Sequence, residues 1–313
     1  MHLLISYQQV YEFTSRDIPM KHRLNRKLVQ AWQSRKRKLK KNLAWAWQAT
    51  NFFGRHDQRL PILSYHSVNN DPNRGYDPLS PALFEEHLAY LTTNHRVVPL
   101  REVAEALLHD KALPANSVAL TFDDGLRDTF EVVFPLLNYY QAHATVFVVT
   151  GFLDGEVNFP EDPCWKPMTW AQAQEMDASL LVEIAAHTHT HARLSKLDHM
   201  EVVREVEKSK AMLEEKLQRP VDLFAYPYGQ GADIPLSAVA AVERLGFVGA
   251  CSTFWRTTHK PRERLLINRV TINRDDTVED LKRILAGDYD YMFYVQKSKA
   301  FYSSTVHGKG LWH

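Results

Sequence analysis

A chain of 313 residues of which 45% are hydrophobic is too apolar for a disordered protein and long enough to bury a sizeable core. Its 38 basic residues nearly cancel 37 acidic ones, and Cys164 and Cys251 stand far apart with no CxxC spacing, which argues against a disulfide framework and a thiolate zinc site. No apolar run approaches the roughly 18 to 20 residues needed to cross a bilayer. The opening MHLLISYQQVYEF also lacks the basic start and unbroken apolar stretch of a secretory signal. The expected location is therefore cytoplasmic, with Met20 as an alternative start.

The near-neutral total hides an asymmetry. Residues 21 to 55 hold 11 Lys or Arg and no Asp or Glu, leaving 27 basic against 37 acidic residues elsewhere. Residues 1–55 thus form a basic, partly helical N-terminal arm, in which Leu24, Leu28, Trp32, Leu39, Leu43 and Trp47 make an imperfect helical stripe. Two readings stand side by side. The arm touches the inner face of a membrane peripherally, each Lys or Arg adding about 1 kcal/mol near anionic lipid, or it is a solvated helix packed on the domain. Nucleic acid is not an expected partner, because one basic arm without a motif is weak evidence.

From residue 56 to 290 the texture changes to short apolar runs alternating with helical segments, and residues 291–313 read as a tail. Strands are expected at 60–66, 117–122, 144–150, 180–186, 222–226, 247–252 and 266–272. Helices are expected near 80–94, where Ser80 is an N-cap and Pro81 the first helical residue, and near 127–141, 169–178, 198–218, 235–245 and 276–286. Strands this apolar, alternating with helices, predict a parallel sheet covered by helices. The polar groups collect where such a fold builds a site. His66, the pair Asp123 and Asp124, the run HTHTH (187–191) and YPYG (226–229) all follow the carboxyl ends of strands.

Adjacent carboxylates after an apolar strand point in different directions, so in TFDDG (121–125) one can bind a metal while the other acts as a base; the bland alternative is an Asp-Gly turn. In HTHTH, a strand would point all three histidines to one face, whereas a helical turn pairs His187 with His191 and sends His189 elsewhere. Two imidazoles and one carboxylate around a divalent ion leave positions open for substrate, as catalytic metal sites require.

TFDDG, HTHTH followed by ARL, and FAYPYG resemble, in order and rough spacing, the first three motifs of the polysaccharide deacetylases of carbohydrate esterase family 4. The resemblance covers roughly residues 60 to 275. It implies a distorted β/α barrel of about seven parallel strands and metal-dependent hydrolysis of N-acetyl groups on a glycan, with zinc the usual ion. Carried onto this sequence, Asp123 matches the general base, Asp124, His187 and His191 the metal ligands, and Tyr228 the residue whose backbone N–H faces the oxyanion, a donor worth roughly 3 kcal/mol. The chain departs from the familiar pattern at three places. Ala225 stands where many members carry an arginine that orients the base, STFWR (252–256) lacks an aspartate before its tryptophan, and the late LxLH histidine is missing. PILSYHSV (61–68) resembles the first strand of a subgroup whose late motifs are displaced to the front of the domain. His66 is then the replacement acid for the leaving amine, a task suited to a group titrating near neutrality. Arg269 in LINRV resembles a subgroup position near the site and is placed to neutralise Asp123.

Among the tryptophans, Trp165, Trp170 and Trp255 could stack on sugars, and only Trp255 is expected at the site, with Pro227 and Tyr228 as further substrate-lining residues. The Pro/Gly/Asn-rich loop 71–78 reads as a substrate flap or a plain surface loop. The expected function is metal-dependent N-deacetylation of an amino-sugar polymer or lipid-linked glycan. The rivals are a deformylase or other amide hydrolase on the same metal, and a noncatalytic glycan-binding scaffold. In HTHTH the preceding strand should end and the chain turn, pairing His187 with His191, leaving Thr188 and Thr190 to shape the turn and His189 replaceable.

Overall fold

The consecutive apolar runs become parallel strands with almost wholly buried residues, as expected where helices cover a sheet. In chain order they are β1 (Ile62–Tyr65), β2 (Arg96–Val97), β3 (Ser117–Phe122), β4 (Ala144–Val148), β5 (Val182–Ala186), β6 (Leu223–Ala225), β7 (Gly249–Cys251) and β8 (Val270–Thr271). Seven of them run β7-β6-β5-β4-β3-β1-β8, all pairs parallel, and β2 adds to β3. The sheet curls into a distorted barrel. The two edges meet through one parallel bridge between Cys251 and Ile267, on the segment leading into β8.

The computed structural model describes residues 59–71, 77–158 and 166–298, together with Ala44. Two units are distinguished, Met1–Phe53 and Gly54–His313. Apart from Ala44, the basic arm expected over 1–55 lies outside the described residues, as do Trp165, residues 72–76 of the expected flap and residues 299–313 of the expected tail. Residues 291–298 are helical, and the Phe293 ring lies 5.8 Å from that of Phe254. Among the described residues no helix is long and apolar enough to cross a membrane.

Four of the helices begin at a side-chain cap. In α1 (Pro81–Asn94) the Ser80 hydroxyl accepts from the Leu83 N–H at 3.3 Å, with Pro81 at the first position. The later helices α5 (Trp170–Ala178), α6 (His199–Leu217) and α8 (Val278–Leu285) each open on a capping box, led by Thr169, Asp198 and Thr277. Between α1 and α5 lie α2 (Leu100–Leu108), α3 (Phe134–Tyr140) and α4 (Thr150–Leu153), and α7 (Leu236–Arg244) follows α6.

Helix α2, absent from the helices expected above, organises the barrel floor. Leu100, Val103, Ala104 and Leu107 share one buried cluster with Ile62, Ala119, Ala185, Leu223, Cys251 and Ile267 from the barrel interior. At the polar edge of that helix, Arg101 donates to Glu183 Oε1 and to Asp222 Oδ2, at the starts of β5 and β6. With the amino-terminal end plugged, the opposite end is left open to solvent for polar groups.

Candidate active site

The carboxyl ends of β1, β3, β5 and β6 bring His66, Asp123, Asp124, His187, His191 and Tyr228 to one side of the barrel. Phe147 of β4 forms the boundary between this polar group and the apolar interior: its ring lies 6.5 Å from that of His187 and 5.3 Å from the Arg269 guanidinium carbon.

Asp123 leaves β3 with its N–H bonded to Tyr65 O at 3.1 Å and is 3% exposed. Arg269, fully buried, meets it with a two-pronged ion pair, Nη1 to Oδ1 at 2.7 Å and Nη2 to Oδ2 at 2.9 Å. The same guanidinium donates to Ser252 O and to Thr121 Oγ1, both at 3.1 Å, so its plane is fixed from three sides. Burial disfavours charge on Asp123, and the Arg269 guanidinium, joined by His187 and His66, outweighs it and holds the carboxyl below the usual range. His66, at the end of β1, places Nε2 3.9 Å from Asp123 Oδ2 and remains partly exposed at the site's rim.

Asp124 adopts a left-handed backbone with φ of 75°, followed by Gly125 at 68°. A Cβ on Gly125 would stand 2.9 Å from Val148 Cγ1, so this turn requires glycine for conformation and for space. The turn sends the two neighbouring carboxylates in different directions. Asp124 Oδ1 lies 3.5 Å from His187 Nε2 and 3.4 Å from His191 Nε2. One donor atom from each of these three residues falls within 4.8 Å of the others.

The donor chemistry fits a cation. His187 Nδ1 lies 2.7 Å from Ala225 O. A carbonyl only accepts, so Nδ1 is the donor and Nε2 is the ring nitrogen left to coordinate an ion beside Asp124. Burial pushes the pKa of His191 down to about 4, against the pull of Asp124, so that imidazole is neutral near pH 7. A carboxylate and lone pairs converging on one point repel unless a cation lies between them. Metal bonds of about 2.0 to 2.1 Å in a tetrahedron place ligand atoms about 3.3 Å apart, close to the two observed separations.

The HTHTH segment turns, but not as a helix. Thr188 and His191 both take left-handed conformations, φ of 65° and 58°, each costing an L-residue roughly 1 to 2 kcal/mol. This bent loop brings the His187 and His191 rings to 5.1 Å between centroids. Thr188 Oγ1 accepts from the His191 N–H at 3.1 Å. His189 points away, with Nδ1 3.0 Å from Thr150 Oγ1 and Nε2 3.0 Å from Glu156 Oε2.

Tyr228 is also left-handed, φ of 62°, and follows the buried Pro227. Its ring lies 5.0 Å from that of His191 and carries the Arg193 guanidinium at 4.0 Å, itself ion-paired to Asp233. Trp255 stands differently from the expectation of a sugar platform. It is 7% exposed, its ring meets Tyr289 edge-on at 6.0 Å, and its N–H donates to Gln296 Oε1 at 2.8 Å; tight packing against the helical run 291–298 leaves little ring face for a ligand. Trp170 donates through Nε1 to Asp154.

Sequence reasoning missed Thr150, Gly151 and Glu205, which touch the histidine loop. Gly151 follows β4 on the site's side of the barrel, and its N–H donates to His189 O at 2.9 Å. A Cβ there would meet that oxygen at 2.6 Å. Its place at a strand end was a readable signal; Glu205, inside a long helix, gave none.

Residues 110–250 match the family model described as polysaccharide deacetylase. The poly-beta-1,6-N-acetyl-D-glucosamine N-deacetylase of Escherichia coli (strain K12) is 26% identical over 220 residues, covering 59% of this chain and 32% of that protein. The enzyme of the same name from Staphylococcus aureus (strain MSSA476) is 26% identical over 170 residues, 51% of this chain and 57% of the relative. The chain thus spans about a third and rather more than half of the lengths of these two relatives. The structure of the Streptococcus pyogenes deacetylase PplD in complex with acetate superposes with a TM-score of 0.64 at 25% identity, over 73% of this chain and 99% of that one.

Proposed function

Because the chain belongs to the polysaccharide deacetylase family, we propose that it hydrolyses N-acetyl groups on an amino-sugar polysaccharide or lipid-linked glycan. The observation that carries this reading is the juxtaposition of two carboxylates with different partners: Asp124 faces His187 and His191, while Asp123 is paired with Arg269. Asp124, His187 and His191 are the residues that would hold a divalent metal. Two imidazole nitrogens and one carboxylate oxygen suit zinc, which when bound polarises the acetamide carbonyl and makes water more acidic.

The chain's own groups divide the remaining work. Asp123 accepts a proton from the water whose oxygen adds to the acetamide carbon, and Arg269 keeps that carboxylate charged and aimed. The Tyr228 N–H donates to the oxygen on which charge develops, its strained backbone fixed by the ring contacts with His191 and Arg193. His66, at the rim, donates a proton to the amine nitrogen as the C–N bond breaks, releasing acetate and a free amino sugar. Pro227 and Tyr228 line the substrate side. The pairing of Asp123 with a buried arginine disfavours a mere glycan-binding scaffold, which has no use for a charged base beside a metal site.

The test is release of acetate from N-acetylglucosamine oligomers by metal-loaded protein, assayed in parallel with formate release from N-formyl analogues. Acetate with no formate supports the deacetylase; formate alone, or no turnover of either, overturns it. The basic segment 21–55 is proposed to hold the enzyme peripherally on an anionic membrane, on the strength of its 11 unopposed positive charges.

A further inference from the structure

The loop between the two histidines is bent against the preference of its own backbone, so something outside it must hold the bend. Thr188 and His191 are left-handed, and the residues between them, His189 and Thr190, turn their N–H groups away from Asp124 and towards helix α6. There one side chain receives both. Glu205 Oε2 accepts from the His189 N–H at 3.1 Å and from the Thr190 N–H at 2.9 Å, and Oε1 accepts from the Thr190 hydroxyl at 2.9 Å. On the other side of the loop, Thr150 N donates to Thr188 O at 3.3 Å and Gly151 N to His189 O at 2.9 Å. The loop is thus gripped between the first turn of α4 and the carboxylate of Glu205.

We infer that Glu205 is a positioning residue for the metal centre. By gathering two successive N–H groups and a hydroxyl, it sets the peptide planes between the ligands, so that His187 and His191 face Asp124 from a loop rather than from a helix. Without an acceptor at that point the two N–H groups must find other partners. Thr188 is then free to relax to a right-handed conformation, and the site loses preorganisation although no ligand has been touched. Glutamine preserves the pattern, because its carbonyl can take both N–H groups while its amide NH₂ donates to the Thr190 hydroxyl, which can reverse its role. Alanine, or methionine of similar length, cannot.

This inference rests on Asp124, His187 and His191 forming a metal site, and the experiment separates the two claims. Zinc affinity of the full-length chain is measured by competition with a chromophoric chelator, and Co²⁺ absorption reports coordination geometry. Glu205→Ala and Glu205→Met should bind zinc about 10- to 100-fold more weakly, the range seen when partners of metal ligands are removed, with an altered Co²⁺ spectrum. Glu205→Gln should remain within about threefold of the parent. His191→Ala serves as the control. If it keeps full affinity, the ligand assignment is wrong; if it loses zinc while folded Glu205→Ala or Glu205→Met binds as the parent does, the role given to Glu205 is wrong. Unfolding of both Glu205 variants, or a glutamine variant as weak as alanine, would also overturn it, since the carboxylate would then serve folding or charge rather than loop geometry.

Discussion

Replacing Asp123 with asparagine leaves the Arg269 guanidinium, 0% exposed, facing a neutral amide, and replacing Arg269 with methionine leaves a buried carboxylate without its guanidinium. Breaking one side of a buried ion pair costs about 3 to 5 kcal/mol, whereas exchanging both members for neutral groups of similar volume is often nearly neutral. The double variant Asp123→Asn/Arg269→Met should therefore recover most of the stability lost by either single change. It will not recover all. Arg269 also donates to Ser252 O and Thr121 Oγ1, both at 3.1 Å, and losing two such bonds leaves a deficit of about 1 to 2 kcal/mol. The loss in the double variant should thus fall at least about 3 kcal/mol short of the sum of the singles. Urea unfolding of chelator-treated protein measures this at constant m-value, free of any contribution from bound metal. Single losses that add to within about 0.5 kcal/mol would refute the claim that the two charges are held by each other. Turnover should not follow stability: Asp123→Asn costs about 10²- to 10⁴-fold in rate, and the double variant does not regain it.

Asp124→Ala and His187→Ala should each lose metal and turnover together, whereas His189→Gln should keep a full complement of metal; full metal content in either of the first two would contradict the ligand assignment. His87, fully buried in α1, has Nε2 2.8 Å from Asp276 O, and burial pushes its pKa down to about 4 from 6.5. The unfolded chain then binds a proton that the folded chain refuses, so this group costs nothing above about pH 6.5 and lowers stability by up to about 3 kcal/mol as pH falls towards 4. His87→Gln should flatten that part of the pH dependence, and parallel urea midpoints for the two proteins between pH 6.5 and 4.5 would count against it. Flotation with anionic liposomes should recover the full chain and not a chain lacking residues 1–55; equal recovery would sink the membrane proposal.

The barrel was legible because its strands are apolar throughout and its longer helices carry ordinary caps. The nine-residue helix α2 was missed although Leu100, Val103, Ala104 and Leu107 have the spacing of one helical face, and β2, two residues long, has no period to read. Residue types and strand ends singled out Asp123, Asp124, His187 and His191 as candidates, and Arg269 was singled out only by its resemblance to a subgroup position. The conformation of the histidine loop was not legible, because a left-handed Thr188 and His191 go against local preference. Contacts from Thr150, Gly151 and Glu205 impose it, and no local pattern announces partners supplied by other elements. Trp255 makes the converse point: an aromatic residue beside a site offers the same letter whether its face is open or packed.

The barrel takes His66 from its first strand and Arg269 from the entrance to its last, and both converge on Asp123, 146 positions from Arg269. During synthesis the carboxylate therefore emerges long before its counter-charge, and β3 is complete while β8 has yet to leave the ribosome. A chain cut to residues 110–250 would keep Asp123, Asp124 and both site histidines of the loop, yet discard His66 at the rim and the arginine that makes burial of Asp123 tolerable. The smallest piece able to work as a unit must run from before β1 to beyond β8, so the chemistry is finished only when the fold is.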